Sequence, residues 1–280
     1  MMTTLLLAVH LAAAEPPQLL VEVTDPKLKK LESFLILDVR GKAKYEAGHV
    51  PFAVLAEFGP WSKAVTAGKA DAAFWKPALA AVGVSPTKPT VVYSDDLRDA
   101  ARVWWMLKLA GVPDVRILNG GWKAYTAAKL PEQKDVVTAT AAPFDWTPAP
   151  ERFADKAKVL EMIKTPGVTI LDTRTKEEFT GESKLAKKAG HIPGAVHLEW
   201  VEFLDPATGK FLAPEPLRKL AADRKLELKN PAVTYCQGGG RAAVAAFGLE
   251  LMGVKNVRNY YASWGEWGNA ADTPVALPKK

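Results

Sequence analysis

The chain contains the same segment twice. Residues 89–125 (PTVVYSDDLRDAARVWWMLKLAGVPDVRILNGGWKAY) align without a gap on residues 231–267 (PAVTYCQGGGRAAVAAFGLELMGVKNVRNYYASWGEW), an offset of 142. Pro89/Pro231, Tyr93/Tyr235, Gly111/Gly253, Arg116/Arg258 and Trp122/Trp264 are among the identical pairs. Gly48-His49-Val50-Pro51 matches Gly190-His191-Ile192-Pro193 at the same offset, and Leu37-Asp38-Val39-Arg40 matches Leu171-Asp172-Thr173-Arg174 at 134. The difference, 142 less 134, puts eight extra residues of the second copy inside the charged stretch 176–188, which reads as a surface loop. Two copies of one fold are therefore expected in 280 residues.

Each copy alternates short β-rich runs with helical ones. FLILDV and GVTILDT, TVVYS and AVTYC, and DVRIL and NVRNY read as buried strands. The helix from Ala242 to Met252, stopped by Gly253, is apolar on too many sides for a one-faced surface helix, so it should be mostly buried. This pattern predicts an α/β class: in each copy, a small mostly parallel sheet with helices on both faces. The expected organisation is a signal peptide over 1–14, a first domain over 15–132, a Pro/Ala/Thr-rich linker over 133–150 and a second domain over 151–280. The leader reading rests on the apolar run Thr4–Ala14, too short to span a bilayer and ending in Ala12-Ala13-Ala14. It implies export, to the periplasm; a cytoplasmic protein with an apolar N-terminus is the alternative.

Composition excludes several classes. The net charge is +6, and residues 15–140 hold 17 basic and 14 acidic side chains, leaving 20 and 17 elsewhere, so each part is +3. No basic stripe emerges and nucleic acid is not an expected partner; no membrane span is expected either. One cysteine rules out an internal disulfide, a CxxC pair and a multi-cysteine zinc site.

That cysteine, Cys236, lies where a strand gives way to a helix, followed by Gln237, Gly238, Gly239, Gly240 and Arg241. Glycines let the backbone curl with its N–H groups inward, and the helix start adds unpaired donors and a positive dipole end. Such a cradle favours a thiolate, the nucleophilic form of cysteine, and Arg241 adds a fixed positive charge. The first copy has Ser94-Asp95-Asp96-Leu97-Arg98-Asp99 in the same place, without thiol or glycines and with three carboxylates. It should be inactive, serving structure or walling the pocket of the second. His49 and His191 occur in both copies and read as structural; the repeated tryptophans read as core or interdomain packing.

Asp172-Thr173-Arg174, Gly190 to Ala195, Cys236 to Arg241 and Ser263-Trp264-Gly265-Glu266-Trp267 resemble the C-terminal half of tandem-domain rhodaneses, and Arg102-Val103-Trp104-Trp105 with the first-copy motifs resembles the N-terminal half. The resemblance spans about residues 20–270. It implies a thiosulfate or 3-mercaptopyruvate sulfurtransferase, with the former favoured by the loop's closing arginine. Cys236 would carry a persulfide, Arg174 would face the site, the loop residues Gln237 to Arg241 would bind substrate, and Asp172 would shape the site. Tyr261-Ala262 stand where the family has Asp-Gly, which questions the turn there.

The partners expected are a small anionic sulfur donor and an external thiol or cyanide acceptor, with no metal or organic cofactor and a monomeric chain. Two rival readings stay open: a non-catalytic persulfide carrier, and a cysteine phosphatase or arsenate reductase. The latter need five residues between cysteine and arginine; here four intervene.

Overall fold

The computed structural model describes residues 18–141 and 147–278. The expected leader, residues 1–14, lies outside the described residues. The first copy runs β1 (Leu20–Val21), β2 (Leu35–Asp38), α1 (Lys42–Ala47), β3 (Val54–Leu55), α2 (Gly59–Thr66), α3 (Ala72–Ala81), β4 (Thr90–Tyr93), α4 (Leu97–Leu109), β5 (Val115–Leu118) and α5 (Gly121–Ala127). The second runs α6 (Lys156–Met162), β6 (Thr169–Asp172), α7 (Lys176–Thr180), β7 (Val196–His197), α8 (Pro214–Asp223), β8 (Ala232–Tyr235), α9 (Gly240–Leu251), β9 (Val257–Asn259) and α10 (Ser263–Trp267).

The strand order is β1-β5-β4-β2-β3 in the first sheet and β7-β6-β8-β9 in the second, with every pairing parallel. The central strands β2, β4 and β8 are buried at each position, as their continuous apolar runs require of a sheet covered on both faces. Where β1 edges the first sheet, the second has a single parallel bridge, Phe153 to Asn259.

The two copies share one core. A single apolar cluster runs from Leu37, Trp75 and Trp104 of the first to Leu198, Phe203 and Phe247 of the second. Trp104 meets Phe247 edge to face at 4.8 Å, across the α4–α9 contact. Helix α9 lies between its own sheet and α4, so every residue from Ala242 to Leu249 is buried. Among the described residues, no helix is long and apolar enough to cross a membrane.

The stretch 176–188, expected to be a surface loop, begins as helix α7. Thr175 and Glu178 form a capping box at its start: the Thr175 hydroxyl accepts the Glu178 N–H and the Glu178 carboxylate accepts the Thr175 N–H. Glu178 is only 4% exposed.

Candidate active site

Cys236 follows β8 directly and its side chain is buried, yet it lines a cavity of about 340 Å³ with Gly238, Gly240 and Arg241 of its own loop. The opposite wall is the first copy: Asp96, Arg98, Asp99 and Arg102, from the start of α4. The first copy thus supplies one wall of the pocket that holds Cys236.

The loop backbone explains why one copy keeps a cradle and the other does not. In the first, Asp96 caps α4: its carboxylate accepts the Arg98 N–H at 2.9 Å, its carbonyl accepts the N–H groups of Asp99 and Ala100, and the Ser94 hydroxyl accepts the Asp96 N–H. The N–H groups of Asp96, Arg98, Asp99 and Ala100 are thus spent locally. In the second, the Asp96 position is Gly238, which has no side chain to fill the cradle. Among the described residues, no acceptor takes the N–H groups of Gln237 through Ala242, while the loop's carbonyls are anchored from behind. The Cys236 carbonyl accepts the Trp264 N–H, that of Gln237 accepts the Gly265 N–H, and that of Gly239 accepts from Ala243 and from Asn259 Nδ2. These donors are left without a protein acceptor, beside the cavity that Cys236, Gly238, Gly240 and Arg241 line.

Two glycines are closely approached, and Gly239 is fixed by it. Gly239 has φ +82°, and a Cβ there would sit 2.4 Å from the Tyr261 ring. A Cβ on Gly240 would meet Arg102 Nη2 at 2.3 Å, because the arginine reaches from the first copy over the loop. Arg102 makes no ion pair among the described residues, and its Nε is buried without a partner.

Ser263 completes the floor. Its Oγ accepts the Cys236 N–H at 3.1 Å, donates to the Tyr260 carbonyl at 2.7 Å and lies 4.0 Å from the cysteine sulfur. It holds φ +56°, unusual for a non-glycine, at the position of Gly121 in the first copy (φ +55°). This answers the question raised by Tyr261-Ala262: the left-handed residue of the turn is Ser263, and Ala262 is ordinary helix backbone (φ −67°). Tyr261 packs flat on Trp105 at 5.2 Å and bonds Ser62 of the first copy, oxygen to oxygen, at 2.5 Å.

Arg241 reaches the pocket in the grip of Glu178, through Nη1–Oε2 at 2.6 Å and Nη2–Oε1 at 3.0 Å. Burial works against the Arg241 charge, but Glu178 and the nearby Cys236 sulfur more than offset it and its pKa is raised. Burial would lift the Glu178 pKa; Arg241 and the Thr175 N–H hold it below the ordinary carboxylate range.

The other proposed substrate ligands are placed differently. Gln237 turns away and its Nε2 donates to the Leu185 carbonyl at 3.3 Å. Arg174 requires a correction. It does not line the cavity: it is 1% exposed, its Nη2 donates to Asp172 Oδ2 at 2.6 Å and to the Gly190 carbonyl at 2.8 Å, and it stacks 4.3 Å from the Trp264 ring. Asp172 also accepts the Tyr235 hydroxyl at 2.6 Å. The first copy repeats this network with Asp38, Arg40, Gly48, Tyr93 and Trp122. A device present in the copy without a thiol is scaffold, and the acid that holds the guanidinium is its own neighbour two residues back. The histidines are equivalent too: His49 and His191 each stack on an aromatic ring at 3.8 Å and bond that residue's carbonyl.

Three site residues were not singled out from the sequence. Glu178 sits in the supposed loop, where the Thr175-x-x-Glu178 capping pattern was the available signal. Ser263 stands opposite a glycine of the first copy. Arg102 was read only as part of a motif, although it follows Asp99 by one helical turn.

A two-copy parallel α/β fold with a cysteine cradle between the copies defines the class: the chain belongs to the rhodanese-like family, whose domain model matches residues 20–128 and again 155–270. Among its relatives, the thiosulfate sulfurtransferase of Azotobacter vinelandii is 29% identical over 94% of this chain and 96% of its own length. The 3-mercaptopyruvate sulfurtransferase of Escherichia coli K12 is 31% identical over 71% of each. A solved structure of the protein EanB (a Y-to-A variant) in complex with ergothioneine superposes with a TM-score of 0.78 at 26% identity, covering 88% of this chain and 65% of that longer one. The family is that of sulfurtransferases.

Proposed function

We propose that the chain moves a sulfane sulfur from thiosulfate to an external thiol or cyanide, through a persulfide on Cys236. The observation that carries this reading is the cradle: a cysteine on the pocket floor, followed by backbone N–H groups that no acceptor takes among the described residues, between Arg241 and Arg102. The Cys236 thiolate attacks the outer sulfur of thiosulfate. The donor's S–S bond breaks, its electron pair leaves with sulfite, and the transferred sulfur stays as Cys–S–S⁻. The loop N–H groups hold that anionic sulfur, and the two arginines orient the dianionic donor. An acceptor thiolate or cyanide then attacks the outer sulfur and returns the electron pair to Cys236. Thiosulfate suits a site with arginine on both walls; 3-mercaptopyruvate is the second reading, favoured by the Escherichia coli relative.

The test is mass spectrometry of the protein after each donor, with steady turnover to cyanide and Cys236→Ala as control. A gain of one sulfur atom on Cys236, ping-pong kinetics and faster turnover with thiosulfate are expected. Persulfide without turnover would make the chain a carrier. An unmodified cysteine after both donors would overturn the reading.

A further inference from the structure

The pocket charges sort into those neutralised locally and those left open. Arg98 is folded onto Asp96, with Nη2–Oδ2 at 2.5 Å and Nε to both carboxylate oxygens at 3.0 Å, and its guanidinium lies 5.2 Å from the Trp200 ring. Arg241 is held by Glu178. Asp95, outside the cavity lining, is paired with Lys44 at 2.7 Å. Two charged side chains of the lining remain: Arg102 and Asp99. The Asp99 carboxylate makes no hydrogen bond or ion pair among the described residues, although the residue is partly buried on the cavity wall.

Asp99 occupies the position that Arg241 holds in the second copy (99 plus 142 is 241), so the two copies offer opposite charges to one cavity. A carboxylate there does nothing for a dianionic donor; like charges repel, and the free arginine and the loop N–H groups must outweigh it. It has a use in the other half of the cycle. Once sulfite has left, the pocket holds a persulfide anion, and the incoming acceptor brings a thiolate toward it. An acceptor with a positive group near its sulfur is drawn by Asp99 and relieves that repulsion.

We propose that Asp99 selects the sulfur acceptor, favouring a small thiol that carries an ammonium group over neutral and anionic thiols. The proposal rests on the persulfide reading above. The acceptor gives its thiol proton to solvent, and its thiolate attacks the outer sulfur of Cys–S–S⁻. The Cys236 S–S bond breaks, the electron pair returns to the cysteine as thiolate, and the acceptor leaves as R–S–S⁻. The ammonium group rests on the Asp99 carboxylate throughout.

The experiment measures kcat/KM for three acceptors (cysteamine, 2-mercaptoethanol and 3-mercaptopropionate) in the wild type, Asp99→Asn and Asp99→Glu, with thiosulfate as donor. Comparing variant with wild type acceptor by acceptor cancels the intrinsic reactivity of each thiol. Asp99→Asn is expected to lower the cysteamine value about five- to tenfold relative to 2-mercaptoethanol and to raise the 3-mercaptopropionate value by a similar factor, while Asp99→Glu keeps the wild-type order. Equal changes for all three acceptors in Asp99→Asn would overturn the proposal. Loading of Cys236 by thiosulfate, read by mass, is recorded separately for each protein. If the wild type fails to load, the persulfide reading has failed; if all proteins load and the acceptor order does not move, only the role of Asp99 has failed.

Discussion

Gly239 offers the sharpest test of how the loop is held. Adding one methyl there, Gly239→Ala, imposes two separate costs. The first is conformational: at φ +82° a Cβ is strained, at about 1–2 kcal/mol. The second is steric. The new carbon would lie 2.4 and 2.6 Å from two Tyr261 ring carbons. That ring cannot retreat easily, since it is stacked on Trp105 and its hydroxyl is tied to Ser62. Overpacking of this kind costs about 1–3 kcal/mol. Together the two give about 2–5 kcal/mol, against about 5–15 kcal/mol for the stability of a typical domain. The variant should therefore fold, less stably, with the loop displaced. Gly238→Ala is the internal control, because nothing lies within 4 Å of a Cβ there and its φ is not positive. Urea unfolding reports the stability, and the rate of persulfide formation with thiosulfate reports the cradle. Gly239→Ala should lose stability by the amount above and load at least tenfold more slowly, whereas Gly238→Ala should stay within about 0.5 kcal/mol of wild type. A Gly239→Ala protein as stable and as fast to load as wild type would refute the argument that backbone geometry at this residue aims the loop donors.

Two further outcomes follow from the ion pairs. Glu178→Gln removes the bidentate hold on Arg241 and should cost about 1–3 kcal/mol at neutral pH and lower kcat without raising the donor KM. Because the folded state holds the Glu178 pKa below its ordinary value, its contribution is present above the unfolded pKa of about 4.3 and is lost as pH falls through the lower folded value. Denaturation curves of wild type and variant should therefore converge below that pH; a gap that persists in acid would contradict the assignment. Arg174→Ala and Arg40→Ala each strand a buried carboxylate and should both destabilise by about 3–5 kcal/mol. An Arg174→Lys protein with wild-type stability but a raised donor KM would instead restore Arg174 to the substrate.

The duplication made most of the fold readable, since each copy vouched for the strands and helices of the other. The cysteine loop was readable because Gly-Gly-Gly-Arg after a strand has a local physical meaning. Contacts between distant segments were not. Asp172 and Arg174 are two residues apart at a strand end, and nothing in that spacing says whether the guanidinium turns out to substrate or back onto the acid. The structure shows it turned back, held by the Gly190 carbonyl sixteen residues on. Glu178 was hidden in a run of charges that reads as solvated, because its partner Arg241 is 63 residues away. Asp99 and Arg102 belong to the other copy, and only the packing of α4 on α9 brings them to Cys236.

That packing also gives the chain a division of labour. The two copies meet like the unlike halves of a heterodimer, with the cysteine on one and Asp96, Arg98, Asp99 and Arg102 of the facing wall on the other. Changes to Asp96, Arg98 or Asp99 fall at the start of α4, away from the cysteine loop itself. If the proposed sulfur transfer holds, a chain of this plan can change its acceptors by revising the first copy while the cysteine loop of the second stays as it is.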